Sequence, residues 1–174
     1  MRPIRSIVVA SALAASLLAL PLHAQAPIPA NPQVDYEGFV ELAGRLGAYR
    51  EGRRIGWEEF ARGARDGGAI LLDARSESAF AAGHLAGAIN LPLPDFTAER
   101  LAQVLGPDAD RPVYIYCNNN FADDRPPVAV KKVELALNIP TFINLVGYGY
   151  ENVWELADVI RTDGPGVSWV SNAP

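Results

Sequence analysis

Val113-Tyr114-Ile115-Tyr116-Cys117-Asn118-Asn119-Asn120-Phe121-Ala122-Asp123-Asp124-Arg125-Pro126-Pro127 is the stretch on which the reading of this chain turns. Val113 to Tyr116 is apolar and β-prone, as expected of a strand buried on both faces. Cys117, the only cysteine of the 174 residues, closes that strand. The polar loop 118–124 comes next, and Arg125-Pro126-Pro127 is expected to open a helix over Pro126–Leu137. A cysteine at the carboxyl end of a strand, facing a helix amino terminus, is placed for chemistry, because backbone N–H groups and the helix dipole stabilise a thiolate. The bland alternative is an inert buried thiol, a common fate of cysteine. Turn-forming residues after Cys117 weaken that alternative.

Working outward, strands and helices alternate. Short strands are expected near 53–56, 69–73, 88–91, 113–116 and 141–145, separated by helices at 57–65, 76–82, 95–105 and 126–137, with a last helix at 150–160. The expected fold is α/β: a five-stranded, mainly parallel sheet with helices on both faces. Phe39, Leu42, Ala43, Leu46 and Tyr49 recur at helical spacing and add an N-terminal amphipathic helix from Asp35 to Arg50.

Arg2 and Arg5, the apolar run Ile7–Leu22 and the small residues Ala24 and Ala26 read as a secretory signal peptide. Cleavage is expected after Ala24, because Pro27 would come directly after a cut at Ala26. The chain is therefore divided as 1–24 signal peptide, 25–52 leader and N-terminal helix, 53–161 α/β domain and 162–174 C-terminal tail, with a periplasmic or otherwise exported location. The formal net charge of −5 falls to −7 once Arg2 and Arg5 are removed. Nothing in that balance points to nucleic acid, and no membrane attachment is expected after signal removal. One cysteine and, after cleavage, one histidine fall short of a zinc ligand set. No metal and no cofactor are expected.

Two further boxes accompany the cysteine strand. One is Leu72-Asp73-Ala74-Arg75-Ser76-Glu77, with Gly83-His84-Leu85-Ala86-Gly87-Ala88 after it. The other is Val146-Gly147-Tyr148-Gly149-Tyr150-Glu151-Asn152-Val153-Trp154. In this order, over residues 53 to about 160, the arrangement resembles the rhodanese family of sulfurtransferase-like domains. The resemblance implies that Cys117 attacks a small sulfur-containing donor, becomes a persulfide and passes the sulfur to a thiol or cyanide-like acceptor. A protein partner is a further expectation. The loop Asn118, Asn119, Asn120, Phe121, Ala122, Asp123, Asp124 and Arg125 is expected to cradle the sulfur, with Arg125 contacting anions and Asp73 with Arg75 bracing the loop. His84 is expected to be structural. The sixth residue after Cys117 is Asp123, where phosphatase relatives of the fold carry an arginine. The loop is also longer and more acidic than theirs, which speaks against phosphatase or arsenate reductase activity. Two other functions stay open at this point: a non-catalytic binding module that uses the acidic loop for recognition, and a thiol-redox sensor or carrier using Cys117.

Overall fold

Side-chain alternation along the strands sets the layers of the fold. The computed structural model describes residues 31–123 and 129–171, and Asp35–Pro174 forms one compact unit. Five strands run parallel in the order β1-β6-β5-β2-β4: β1 (Arg54–Ile55), β2 (Ile70–Asp73), β4 (Ile89–Asn90), β5 (Val113–Tyr116) and β6 (Val153–Leu156). Ile70, Leu72, Val113, Ile115 and Val153 face one side of this sheet. Against them pack Tyr49 of α1 (Tyr36–Glu51), Leu101 and Leu105 of α4 (Ala98–Leu105), and Phe142 and Leu145 of α5 (Asn138–Gly147). Leu71, Tyr114, Tyr116 and Leu156 face the other side, under Phe60 of α2 (Trp57–Ala64). Both faces are thus covered, as a parallel sheet requires.

The helix starts obey their caps. Asp35 accepts from the Gly38 amide to open α1, Ser76 from Ala79 to open α3 (Glu77–Ala82), and Thr97 from Arg100 to open α4. The tail docks back. In β7 (Trp169–Val170) it pairs antiparallel with β3 (His84–Leu85), and Trp169 packs edge-on against Phe121 at 4.9 Å.

After Cys117 the order of elements differs from the expected one. Residues 129–137 hold a 3-10 turn, Val133–Leu135, in place of the described part of the expected helix. The expected strand 141–145 lies inside α5, and the expected helix 150–160 contains β6. β-branched Thr141, Ile143 and Val146 favour a strand locally. Packing of Thr141, Phe142 and Leu145 at helical spacing overrides that preference. Pro140 sits in the first turn of α5, where its missing N–H costs nothing. The fifth parallel strand is β6, inserted between β5 and β1 in the register Val113↔Val153 and Arg54↔Glu155. Gly149, at φ +94°, turns the chain from α5 towards that strand. The expected signal peptide, together with Asp124, Arg125 and Pro126–Val128, lies outside the described residues.

Candidate active site

Cys117 comes directly after β5 at the carboxyl edge of the sheet, level with the ends of β2 and β4, since Asp73 is in register with both Tyr116 and Asn90. Its residue exposure is 1%. Three consecutive asparagines fix the loop behind it. Asn120 is the hub: its carbonyl accepts from the Cys117 amide (2.9 Å) and from Asn138 Nδ2 (3.0 Å), while its Nδ2 donates to the Leu156 (2.8 Å) and Asp158 (3.1 Å) carbonyls. Asn118 Nδ2 donates to the Ala129 carbonyl at 2.9 Å. Asn119 holds Lys131 at two points, accepting from its amide (3.0 Å) and donating to its carbonyl (2.8 Å). The side chains after the cysteine therefore anchor both the return segment 129–131 and the end of β6.

The helix start that faces the sulfur is that of α5. Burial pushes the Cys117 thiol up from its ordinary value. The backbone N–H groups of Asn138, Asn119 and Leu137 act in the opposite direction by favouring the thiolate, and the Glu155 charge adds to the upward shift. The cradle thus takes Asn119 from the expected loop and two donors from the start of α5, a position hidden while 141–145 reads as a strand.

Cys117 lines a cavity of about 220 Å³ together with Asn119, Asn120, Val133, Ala136, Asn138, Glu155, Arg50 and Arg54. Arg50, in the last turn of α1, grips buried Glu155 of β6 with two bonds, Nε to Oε2 at 2.7 Å and Nη2 to Oε1 at 2.6 Å. Arg54 Nε lies 4.0 Å from Glu155 Oε1, and its Nη1 meets exposed Glu51 at 3.1 Å. Glu155 and Glu51 thus offset the two cations of this wall beside the thiol. Arg50, Arg54 and Glu155 escape sequence reading. Their one signal is Glu155 within the apolar run Val153-Trp154-Glu155-Leu156, since a charge in a buried strand needs a partner.

Asp73 and Arg75 form a buried pair under the loop. Arg75 Nε donates to Asp73 Oδ1 at 2.9 Å and Nη2 to Oδ2 at 2.5 Å. Its remaining donors reach the Gly83 carbonyl (2.7 Å) and Asn118 Oδ1 (3.1 Å). Tyr116 OH donates to Asp73 Oδ2 at 2.7 Å and accepts from the Leu85 amide. Burial and the Asp73 charge hold that phenol well above its ordinary pKa, so it stays a donor.

The other loop residues point elsewhere. Phe121 is buried against Tyr116 and Trp169, and Ala122 donates its amide to Ile160. The Asp123 carboxylate accepts from the Thr162 amide (3.0 Å) and hydroxyl, which turns it towards the tail. His84 stacks on Phe80 with centroids 3.6 Å apart, and its Nδ1 lies 2.7 Å from the Phe80 carbonyl. It does not line the Cys117 cavity.

Comparison with known proteins agrees with this architecture. The family model described as "Rhodanese-like domain" matches residues 57–158, more than half of the chain. The uncharacterized protein YqhL of Bacillus subtilis (strain 168) is 36% identical over 75 residues, which are 43% of this chain and 55% of that protein. The chain thus spans about half the length of the curated relative it matches. Among solved structures, a rhodanese-like domain of the Alr3790 protein from Anabaena sp. is 21% identical, with a TM-score of 0.41 over 61% of this chain and 95% of that one. A thiosulfate sulfurtransferase from Pseudomonas aeruginosa is 25% identical, with a TM-score of 0.41 over 78% of this chain and 19% of that one.

Proposed function

The chain belongs to the rhodanese-like domain family, and we propose that it is an exported sulfurtransferase that carries a persulfide on Cys117. The observation that supports this most is the convergence of the Asn119, Leu137 and Asn138 amides on the only thiol of the chain, at the wall of a cavity large enough for a small donor. The Cys117 thiolate attacks the outer sulfur of the donor. The bond from that sulfur to the rest of the donor breaks, and its electron pair leaves with the departing group, sulfite if the donor is thiosulfate. The acceptor nucleophile then attacks the outer sulfur of the persulfide and releases Cys117 as thiolate. The three amides stabilise the negative charge on sulfur before and after each transfer. Arg50 and Arg54 place two cations at the cavity wall, where they offset Glu155 and Glu51, and Asp123 is engaged by Thr162.

Intact mass spectrometry of reduced protein after incubation with thiosulfate or mercaptopyruvate tests the reading. A gain of one sulfur atom that cyanide removes is expected, and Cys117→Ser should show none. Absence of the gain in protein whose thiol titrates as free would overturn it. Export is tested separately by sequencing the amino terminus of protein recovered from its native compartment, which should begin at Gln25.

A further inference from the structure

The return segment Ala129–Ala136 forms part of the mouth of the Cys117 cavity, and it is built unlike the rest of the surface. Asn118 and Asn119 bond its backbone at Ala129 and Lys131, so its start is tied to the cysteine loop without being buried. Val133 and Ala136 line the cavity. Yet Val130, Val133 and Leu135 are 52%, 73% and 66% exposed. Three large apolar side chains within six residues, beside a nucleophile, form a surface that the described residues leave open to solvent. A small acceptor inside a cavity of about 220 Å³ leaves Val130 and Leu135 in water.

The charge is equally local. The chain is acidic overall, at −5, but Lys131 and Lys132 are exposed on this segment. Its one carboxylate, Glu134, lies 3.6 Å from Lys132. A basic, apolar mouth on an acidic protein selects a partner of opposite charge that carries its own apolar side chains.

Resting on the sulfurtransferase reading, we propose that the physiological acceptor is a protein cysteine presented on an acidic segment with apolar flanks, docked on Val130, Lys131 and Leu135. The acceptor thiolate attacks the outer sulfur of the Cys117 persulfide. The Sγ–S bond breaks, its electron pair returns to Cys117 as thiolate, and the outer sulfur becomes the terminal sulfur of a persulfide on the partner. No external oxidant or reductant is consumed. Because Asn118 and Asn119 already tie the start of the segment to the cysteine loop, docking sacrifices less backbone freedom there.

The test loads the full protein with sulfur and measures transfer to two cysteine peptides that share Leu and Val flanks, one with Asp and Glu and one with Lys. The acidic peptide should react on the order of tenfold faster at low salt, and the ratio should collapse towards one in about 0.5 M salt. Val130→Ser combined with Leu135→Ser should slow the acidic peptide about tenfold. Lys131→Gln should narrow the charge preference. Both variants should leave transfer to dithiothreitol, a small uncharged thiol, within about twofold of wild type. Equal rates for the two peptides, or peptide and dithiothreitol rates that fall together in the variants, would overturn the proposal. Binding of the same peptides with Ser in place of Cys, monitored by fluorescence anisotropy, reads the surface without any persulfide. A protein that takes no sulfur but still binds the acidic peptide preferentially overturns the sulfurtransferase reading and the acceptor role that rests on it, while the docking surface stands. One that loads sulfur and shows no preference in either assay overturns only the docking proposal.

Discussion

Replacing Arg75 with Met tests whether the Asp73–Arg75 pair supports the cysteine loop. Arg75 is 3% exposed and Asp73 fully buried, so solvent screens the pair little. The substitution keeps most of the side-chain volume but removes three bonds to Asp73, the bond to the Gly83 carbonyl and the bond to Asn118. Asp73 keeps only the Tyr116 hydroxyl and the residue-75 amide. Breaking a buried ion pair from one side costs about 3–5 kcal/mol. For a domain of this size that corresponds to a fall of roughly 10 °C in Tm. Urea unfolding monitored by far-UV circular dichroism should show a lower midpoint at unchanged slope. Arg75→Lys should recover less than half of the loss, since an ammonium cannot span Asp73, Gly83 and Asn118 in one plane. A second effect sets this residue apart from an ordinary core position. Without the tether to Asn118, sulfur loading of Cys117 should slow by more than about tenfold at temperatures where the variant is still folded. Arg75→Met with stability within about 1 kcal/mol of wild type, or with full loading rate, would refute the argument.

Further outcomes follow for Asn120, Cys117 and Gly83. Asn120→Asp turns two donors into acceptors that face the Leu156 and Asp158 carbonyls, so it should cost about 2–4 kcal/mol in urea unfolding at neutral pH; Asn120→Ala should cost less than Asp. The Cys117 thiol is raised by burial, so alkylation by iodoacetamide should keep rising with pH beyond about 8.5, the ordinary thiol value; a plateau below that value would show that the α5 amides outweigh burial. The sign for stability comes from the same shift: the folded state holds this proton more tightly, so Cys117 contributes stability below the unfolded thiol pKa and loses it as pH rises through the folded one, and Cys117→Ala should flatten that alkaline decline. Gly83→Ala drives a methyl group into the Trp169 indole, which should displace β7 and redden tryptophan emission while a tail cut before Trp169 abolishes the difference.

Much of the fold is legible because its cues are local. Val113 to Tyr116 and Ile70 to Leu72 are uninterrupted β-prone runs, and both fold as strands where they are expected. The family resemblance also survives, since its boxes keep their order along the chain whether residues 138–156 fold as helix or strand first. What fails is the segment where local preference and tertiary packing disagree. Asn138 to Gly147 carries β-branched residues and a proline, yet folds as α5 because Phe142 and Leu145 meet β5 and β6 only in that form. Once that helix is read as a strand, Glu155 is assigned to a helix surface and its need for Arg50 disappears from view. The asparagine loop is opaque for a different reason. Asn118, Asn119 and Asn120 bond to Ala129, Lys131, Leu156 and Asp158, and no residue spacing announces partners 11 to 38 positions away.

Arg50 shows how far the chemistry of this chain depends on residues outside the segment that defines its family. It lies in α1, before residue 57 where the rhodanese-like match begins. Its guanidinium nevertheless closes the Cys117 cavity by holding Glu155. Arg54 of β1 likewise precedes the match. A helix whose only role was to cover apolar surface would end in any residue that packs. The last turn of α1 carries a cation, Arg50, matched bidentately to a buried carboxylate of the sheet, and Tyr49, one residue earlier, packs on Phe142 and bonds the Glu151 carbonyl. Docking of α1 and the charge of the sulfur pocket are therefore one event: Glu155 left without Arg50 is a buried negative charge beside the thiol, and such a charge opposes both the thiolate and any anionic donor. A fragment trimmed to the family boundaries would lose α1, β1 and with them both cations that face Glu155.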